Sequence, residues 1–317
     1  MTKADDVKQY LKLIETLNKS RKEGKKMIPI TKGKVETAKK VVIYGPEGIG
    51  KSTLASQFPD PVFIDTEGST KELDVSRYPA PASWTDVLTY INDFLECTPG
   101  KTLVIDTADW AEQLCIAYTC ANLHVKGIED VGYGKGYVYL AESFSEFLKK
   151  CSELVEQGVN VVFTAHAMMR KFEQPDELGA YDRWEMKLSK KVAPLLKEWA
   201  DMVLFCNYKT TVITDQKTNS KKATGGSRVM YSSHHPCWDA KNRYGLPEQM
   251  PMEFASIASL FSNAKQPEPD YRAQLRRFMS ENGIEQHKVI SACGLSKDST
   301  NEDYKNALEY AKTIKED

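Results

Sequence analysis

A glycine-rich segment, GPEGIGKST at residues 45–53, limits the folds open to this chain more than any other part of its sequence. It follows the apolar run VVIY and precedes a helical pattern, which is the context that G-x-x-x-x-G-K-[ST] requires. Such a turn points backbone N–H groups inward, where they bind phosphate together with a helix N-terminus. Lys51 is expected to reach the β and γ phosphates of ATP, and Ser52 to ligate Mg²⁺. The predicted ATP-binding residues are Gly45, Pro46, Glu47, Gly48, Ile49, Gly50, Lys51, Ser52 and Thr53.

From residue 40 onward, short apolar runs alternate with longer amphipathic segments, which is typical of a parallel sheet with crossover helices. The five runs are VVIY (41–44), PVFID (61–65), TLVID (102–106), NVVFTA (160–165) and DMVLFC (201–206). After residue 207, two further runs flank the polar segment DQKTNSKK, which predicts antiparallel strands. The predicted fold class is α/β, a P-loop core with a mostly parallel central sheet extended by antiparallel strands, plus a small helical C-terminal region.

The domain organisation predicted from these patterns has four parts. Residues 1–36 form an N-terminal helix and lead-in, and residues 37–263 form the ATPase core. Residues 264–270, AKQPEPD, are typical of a linker because they combine prolines with charges. Residues 271–317 show three short amphipathic patterns and are predicted to be a small helical unit.

Charge and cysteine content limit the classes of partner and compartment. The 43 basic and 44 acidic side chains nearly cancel, so any nucleic-acid surface must be local. The seven cysteines form no Cys-x-x-Cys pair, which is typical of reduced thiols. No apolar stretch approaches the roughly 20 residues that span a bilayer, and the first residues lack a signal-peptide core. We therefore expect a soluble, cytoplasmic protein.

Two of the apolar runs lead into carboxylates. TLVID ends in Asp106, which is predicted to hold the Mg²⁺ shell, although many buried strands end in an aspartate that only caps the next helix. Asp109 is a second candidate for such a cap. Hydrolysis needs a carboxylate that orients and deprotonates water, and Thr107 cannot supply it. Glu67 lies just beyond the run PVFID and is the candidate base. The alternative for Glu67 is a solvated surface glutamate.

The segments GPEGIGKST and FIDTEGS, in that order, resemble the RecA family. The resemblance implies a RecA-like P-loop ATPase in which a polar residue after the fourth strand senses the γ-phosphate and relays its state to the next loop. His166 occupies that position. A neutral imidazole can donate one hydrogen bond and accept another, which suits such a link, although a lone histidine is more often structural.

Residues 240–247, AKNRYGLP, resemble the Lys-x-Arg element of DnaB-type hexameric helicases and bacterial RadA proteins. In those families the two cations enter the neighbouring subunit's active site. The resemblance implies that Lys241 and Arg243 stabilise transition-state charge in trans, in a homo-oligomer, ring or short filament, with shared ATP sites. The alternative is a basic turn before Gly245. The predicted catalytic residues are thus Glu67, Lys51, His166, Lys241 and Arg243.

Residues 40 to about 250 are similar to phage-encoded RecA-like AAA-family ATPases implicated in single-strand annealing recombination. RecA-like cores bind single strands through two loops, which correspond here to residues 124–139 and 168–184. Both segments mix cations with aromatic side chains, which suits phosphate contact and base stacking. Mobile loops that contact a protein partner or an enzyme's substrate are the alternative. The implied DNA-binding residues are Lys126, Lys135, Arg170, Lys171, Phe172 and Arg183.

These resemblances favour an oligomeric, Mg²⁺-dependent and DNA-stimulated ATPase that acts on single-stranded DNA in recombination or annealing. The expected compartment is the cytoplasm, which is that of the host if the gene belongs to a phage. A single-strand-binding protein or a replication protein is a further candidate partner. The first alternative is a P-loop ATPase that loads or remodels a replication protein without binding DNA strongly. A small-molecule kinase is the second, and the Lys-x-Arg element is not expected there.

Overall fold

The computed structural model describes residues 32–33, 35–173, 179–214, 221–261, 271–296 and 299–316. The predicted N-terminal helix and the predicted linker at 264–270 lie outside these residues. The chain divides into two compact units, Met1–Glu36 and Thr37–Asp317, and every element below belongs to the second unit.

A ten-stranded sheet forms the centre of this unit. Its strands are β1 (Lys40–Gly45), β2 (Pro61–Asp65), β3 (Ser76–Arg77), β4 (Thr102–Asp106), β5 (Asn160–Glu173), β6 (Ala180–Met186), β7 (Met202–Thr214), β8 (Lys221–Tyr231), β9 (Lys241–Asn242) and β10 (Gln249–Pro251). The order is β10-β8-β7-β1-β5-β4-β2-β3, with β6 paired to β5 and β9 paired to β7. The neighbours from β7 to β3 run parallel, whereas β6, β8, β9 and β10 pair antiparallel.

Helices cover both faces of the sheet. They are α1 (Lys51–Ala55), α2 (Trp84–Cys97), α3 (Ala108–Asn122), α4 (Lys135–Glu156), α5 (Val192–Trp199), α6 (Tyr271–Glu281), α7 (Gln286–Cys293) and α8 (Asn301–Glu316). On one face, Trp84, Phe144 and Phe147 belong to a large apolar core, while Leu54 and Phe58 pack on the other. The central strands are uniformly apolar because both of their faces are buried.

This architecture confirms the predicted fold class: a mostly parallel α/β sheet extended by antiparallel strands, with a helical C-terminal region. The sheet order brings the carboxyl ends of β1, β2 and β4 and the middle of β5, at His166, to one edge, here called the carboxyl edge. Parallel α/β sheets bind ligands at this edge.

The strands on either side of β1 continue past the carboxyl edge as hairpins. β5 pairs antiparallel with β6 from Ala167↔Met186 to Glu173↔Ala180. β7 pairs with β8 from Phe205↔Tyr231 to Thr214↔Lys221. The β7/β8 hairpin was predicted, whereas residues 168–184 were expected to be a loop, and for their described part that expectation was wrong. Gly179, with φ of +110°, lies just before β6 and does not interrupt either strand.

Residues 124–139 contain less irregular chain than predicted. Two short 3₁₀ turns, Ile128–Asp130 and Gly132–Gly134, lead into α4. That helix begins at Lys135, inside the segment that was expected to be a loop. Lys135 is therefore the first residue of a helix, while Lys126 is exposed ahead of the turns.

The three C-terminal helices share a small apolar core that includes Leu275, Met279 and Val289. Arg277 Nη1 lies 2.7 Å from Asp93 Oδ1, and Gln274 Nε2 donates to the Cys97 carbonyl at 3.1 Å. These contacts hold α6 against α2. No helix among the described residues has the length and apolar character needed to cross a membrane.

Candidate active site

The turn between β1 and α1 has the geometry of a phosphate-binding loop. Gly48 and Gly50 have φ of +71° and +103°, in the left-handed region that favours glycine. Gly50 is also the N-cap of α1. At Gly45, an added Cβ would overlap the Cys206 carbonyl of the adjacent strand. The glycines of the sequence motif are therefore required by backbone conformation and by close packing.

Lys51 is buried at the base of this turn. Its Nζ donates to the carbonyls of Gly45 at 3.2 Å and Pro46 at 3.0 Å, so the ammonium group is held inside the loop. Burial lowers the pKa of Lys51, while the carboxylates of Asp106 and Asp109 oppose the shift. An ammonium group held in this position is suited to contact a phosphate bound in the turn.

Asp65 fixes the segment that carries Glu67. Its carboxylate accepts hydrogen bonds from the Gly68 N–H at 2.6 Å, the Thr70 N–H at 2.9 Å and the Thr70 hydroxyl at 2.6 Å. Burial raises the pKa of Asp65, but these hydrogen bonds outweigh it and leave the pKa below its ordinary value. An ionised Asp65 thus holds residues 66–70 at the carboxyl edge.

Glu67 lines the same cavity as the phosphate-binding turn. The cavity measures about 320 Å³. Burial raises the pKa of Glu67, and the nearby carboxylates of Asp106 and Asp109 raise it further, against the opposing effect of His166 and Lys51. A carboxylate with a raised pKa is a better proton acceptor. The residues that line the cavity are Gly48, Gly50, Lys51, Ser52, Thr53, Glu67, Ser69, Glu72, Leu73, Thr107 and His166.

His166 is buried between two carboxylates. Its Nδ1 lies 2.8 Å from Asp109 Oδ2, and its backbone N–H donates to Asp109 Oδ1 at 2.9 Å. Its Nε2 lies 3.8 Å from Glu67 Oε1. Burial raises the pKa of Asp109, but the hydrogen bonds from His166 outweigh burial and lower it. Asp109 therefore orients the imidazole towards Glu67 and the cavity.

The role of Asp109 was not predicted from the sequence, where it was considered only as a cap for the next helix. Thr107 is the N-cap of α3 instead, and its side chain accepts from the Trp110 N–H. Asp109 and His166 lie 57 positions apart, so no local spacing indicates the pair.

Asp106 is fully buried at the end of β4, aligned with Asp65 on β2. Thr164 donates a short hydrogen bond to one carboxylate oxygen, and the Ser69 hydroxyl lies 3.3 Å from the other. Mg²⁺ is usually held by one or two carboxylates, water and substrate phosphates. Asp106 and the Ser52 hydroxyl carry oxygen atoms of the kind that Mg²⁺ prefers. No group of three or more His, Cys, Asp or Glu side chains in the described ranges could hold a metal ion.

A family model of an AAA domain matches residues 37–244, about two thirds of the chain. The chain belongs to this AAA-domain family. Membership implies nucleotide binding and ATP hydrolysis, in agreement with the predicted RecA-like P-loop ATPase. A search of curated proteins found no match.

Solved structures with a similar fold include a KaiC-like protein from Pyrococcus horikoshii OT3. It is 17% identical, with a TM-score of 0.34 over 61% of this chain and 78% of that chain. The flagellar accessory protein FlaH from Methanocaldococcus jannaschii is 10% identical, with a TM-score of 0.32 over 63% of this chain and 79% of that chain.

The Lys-x-Arg element of this AAA-domain protein and its own phosphate-binding turn lie at opposite ends of the parallel strands. Lys241 pairs with Val203 near the amino end of β7, at the edge opposite the carboxyl edge. Its Nζ donates to the carbonyls of Lys197 at 3.1 Å and Glu198 at 2.9 Å, and also contacts the Ala200 carbonyl, all at the end of α5. Within one subunit, Lys241 therefore caps a helix.

Arg243 differs from Lys241 in its exposure. Its side chain is 58% exposed, and Nη1 lies 2.6 Å from Asp201 Oδ1. Exposed ion pairs are weak, so Arg243 can exchange this partner for another at little cost.

The predicted DNA-binding residues are not equally accessible. Arg183 is buried, pairs with Asp239 and stacks on Phe172, with 5.1 Å from its guanidinium carbon to the ring centroid. It was expected to contact phosphate, and its enclosure makes that expectation wrong for the described conformation. Phe172 also contacts Tyr181 edge-on, so the ring is partly covered. Lys171 is exposed on the opposite face of β5 from Arg170.

A groove of about 660 Å³ connects the two segments predicted to bind DNA. Tyr137 contributes from the start of α4, and Met168 and Arg170 contribute from β5. The exposed Lys190 and Lys191, just before α5, complete its basic side. These lysines were not predicted to bind DNA because they lie outside both segments that the family resemblance implied.

Arg228, on β8, is a further residue that the sequence did not indicate. Its Nη1 lies 3.3 Å from the Ile49 carbonyl and is directed at the backbone of Gly50. The two positions are 179 residues apart, and only the pairing of β7 with β1 and β8 brings them together.

Proposed function

We propose that this protein is a Mg²⁺-dependent, RecA-like ATPase that acts on single-stranded DNA as an oligomer, in recombination or annealing. Lys51 binds the β and γ phosphates, Ser52 and Asp106 hold Mg²⁺, and Glu67 activates the attacking water. His166, oriented by Asp109, responds to the γ-phosphate.

The groove beside the β5/β6 hairpin is the observation that carries the DNA part of the proposal. An aromatic ring, an apolar side chain and three cations line it, and this combination suits stacked bases and a phosphate backbone. The groove also draws on both segments that the family resemblance assigns to DNA. The net charge of −1 requires that such a surface be local, as this one is.

Direct hydrogen bonds connect the ATP site to this groove. The His166 carbonyl accepts from the Lys187 N–H at 2.8 Å, at the base of the hairpin. On α3, which begins beside Asp106, the buried Glu112 accepts from the Ser189 N–H at 3.1 Å with both oxygens. A change at the γ-phosphate can therefore move the residues that line the groove.

Two features support an oligomer with shared ATP sites. Arg243 lies at the opposite edge from its own cavity, so it can reach a nucleotide only in another subunit. Trp110 and Tyr118, which are 48% and 38% exposed, lie eight positions apart on α3, with the half-buried Leu114 between them. This apolar face begins at the carboxyl edge and suits contact with a second copy. The Lys241 ammonium group is hydrogen-bonded to carbonyls at the end of α5. Arg243 is therefore the cation that we propose to act on the nucleotide of a neighbouring subunit.

The alternative is an ATPase that remodels a replication protein without binding DNA strongly. Acidic residues on the hairpin favour it, because Arg170 Nη1 lies 3.6 Å from Glu185 Oε2 and both Glu173 and Asp182 are exposed. These charges oppose phosphate binding and fit a basic protein surface.

Binding of a fluorescent single-stranded oligonucleotide, with and without an ATP analogue, separates the two functions. We expect salt-dependent binding and ATP turnover that rises on adding DNA. The double variant Lys190→Ala/Lys191→Ala should reduce the slope of log affinity against log salt by about 1.4, since each single-strand phosphate contact contributes about 0.7.

The matched control is Lys305→Ala/Lys312→Ala, which removes two exposed lysines from α8 and should leave the slope unchanged. If single-stranded DNA neither binds nor raises turnover, the partner-remodelling function replaces the proposed one. For the oligomer, mixed Arg243→Ala and Lys51→Ala subunits should recover some of the turnover that each variant lacks, and a strictly inactive mixture would contradict a shared site.

A further inference from the structure

The phosphate-binding turn lies between two hairpins, and each brings a cation to it. β1 is flanked by β5 and β7, which both continue beyond the carboxyl edge. At the base of the β5/β6 hairpin, Lys187 Nζ lies 4.0 Å from Glu47 Oε1. From the β7/β8 hairpin, Arg228 Nη1 lies 3.3 Å from the Ile49 carbonyl. The first cation thus meets a carboxylate, whereas the second meets a neutral oxygen.

Arg228 brings a second positive charge to the turn that holds Lys51. Its guanidinium packs on Gly50, where a Cβ would lie 2.7 Å from Nη1. Gly50 is the N-cap of α1, and Lys51 adds its own positive charge there. The Arg228 side chain is exposed, so water screens its charge until an anion binds in the turn. Within the described part of the chain, no carboxylate lies within ion-pair distance of Arg228.

The charges on the other side of the turn do not compensate Arg228. Asp106, Asp109 and Glu67 act on Lys51, and they lie on the β4 and β2 side of β1. Arg228 approaches from the β7 and β8 side. A polyphosphate in the turn would lie between the two groups and supply the missing negative charge.

We propose that Arg228 is a positioning residue of the nucleotide site, acting in cis. Its charge stabilises the bound phosphates from the side opposite Glu67, and its hydrogen bond to Ile49 connects the phosphate-binding turn to the β7/β8 hairpin. The inference rests on the nucleotide site of the AAA-domain family and does not require DNA binding.

The test is the binding of ATP and ADP, without DNA, to Arg228→Ala and Arg228→Lys at several salt concentrations. A charge-assisted contact of this kind corresponds to about a tenfold change in affinity. Arg228→Ala should therefore raise the Kd for ATP about tenfold and weaken its salt dependence. Arg228→Lys, which keeps the charge, should bind within about threefold of the unaltered protein. KM should rise in Arg228→Ala while kcat stays within about twofold.

A purely structural role predicts a different set of results. Arg228→Ala would then lower the unfolding temperature of the nucleotide-free protein, and any loss of affinity would not depend on salt. That outcome overturns the proposal, as does an unchanged Kd, or a lysine variant that binds as weakly as the alanine variant. We expect instead that the nucleotide-free protein unfolds at about the same temperature, because an exposed cation contributes little to stability. Arg228→Gln tests the same point if the alanine variant does not fold.

Lys209→Ala is the matched control, because Lys209 is exposed on the same hairpin, where it pairs with Ser227. It should leave nucleotide affinity and its salt dependence unchanged. Because these measurements contain no DNA, they do not depend on whether the protein binds DNA. Equally, an Arg228→Ala variant with unchanged nucleotide affinity would contradict this inference without testing the proposed DNA function.

Discussion

The carboxyl edge of the parallel sheet and the opposite edge, where the same strands begin, use charged residues in different ways. At the carboxyl edge, Lys51, Glu67 and His166 come from separate elements and face one cavity. At the opposite edge, Lys241 donates hydrogen bonds to carbonyls at the end of α5, and Arg243 forms an ion pair with Asp201. The first set is directed at a ligand, whereas the second is directed largely at the protein itself.

This difference shows which charged residues can take part in chemistry within one subunit. A side chain whose hydrogen bonds are completed by backbone carbonyls, as in Lys241, stabilises the fold. A side chain held by its neighbours but open to a cavity, as in Glu67, is available to a substrate. Substitutions of Glu67 and Lys241 should therefore affect different properties, turnover for Glu67 and stability for Lys241.

The largest effect is expected for Glu67→Gln. Loss of a general base typically reduces the rate about 10²- to 10⁴-fold, and we expect kcat to fall within that range. The Kd for ATP should change little, because Lys51 and the backbone amides bind the phosphates. Phosphate release and binding of a fluorescent ATP analogue measure the two quantities.

Glu302→Gln, on the exposed surface of α8, is the control for Glu67→Gln and should turn over normally. The pH profile gives an independent check. A base must be ionised, and the pKa of Glu67 is raised by burial, so activity should be lost on acidification at a pH above the ordinary range of a glutamate. Normal turnover in Glu67→Gln would remove it as the base.

A smaller effect on turnover is expected for Asp109→Asn. The amide keeps the size of the side chain but loses the charge that orients His166, whose Nδ1 lies 2.8 Å away. We expect kcat to fall about tenfold, as for loss of one charge-assisted hydrogen bond. DNA stimulation of turnover should weaken in parallel. If basal turnover falls and DNA stimulation stays intact, His166 does not relay the γ-phosphate state.

The smallest effect is expected for Lys241→Ala, at the opposite edge. Removing the ammonium leaves the carbonyls at the end of α5 without a donor, which should lower the free energy of unfolding by about 1 kcal/mol. Urea denaturation followed by circular dichroism measures this change. Arg243→Ala should alter stability less, since its ion pair is exposed. A Lys241→Ala protein of unchanged stability would contradict the assignment of Lys241 as a helix cap.

The sequence predicted the parts of the site that depend on local pattern. The turn at 45–53 was identifiable because glycine spacing and a preceding strand are sufficient to define it. Asp106 and Glu67 were identifiable because strands of a parallel sheet end at the same edge, so carboxylates after two apolar runs become neighbours. Burial on both faces of the sheet also made the central strands easy to recognise.

The remaining features depend on contacts between distant parts of the chain. Asp109 and His166, like Arg228 and Ile49, meet only once the strand order is fixed, and no spacing in the sequence encodes that order. The β5/β6 hairpin was missed because the family resemblance assigned residues 168–184 to a loop, and strand pairing depends on cross-strand contacts that the sequence does not show. Arg183 was expected to face DNA because the sequence does not show that Asp239 encloses it.

The most direct test of the central claim is an experimental structure with Mg²⁺ and a non-hydrolysable ATP analogue. We predict that the triphosphate follows the turn from Gly48 to Thr53 and that Lys51 contacts the γ-phosphate. A water molecule should lie within hydrogen-bond distance of both Glu67 and that phosphate. A γ-phosphate directed away from Glu67 and His166, with bulk solvent between them, would contradict the assignment of the carboxyl edge as a catalytic site.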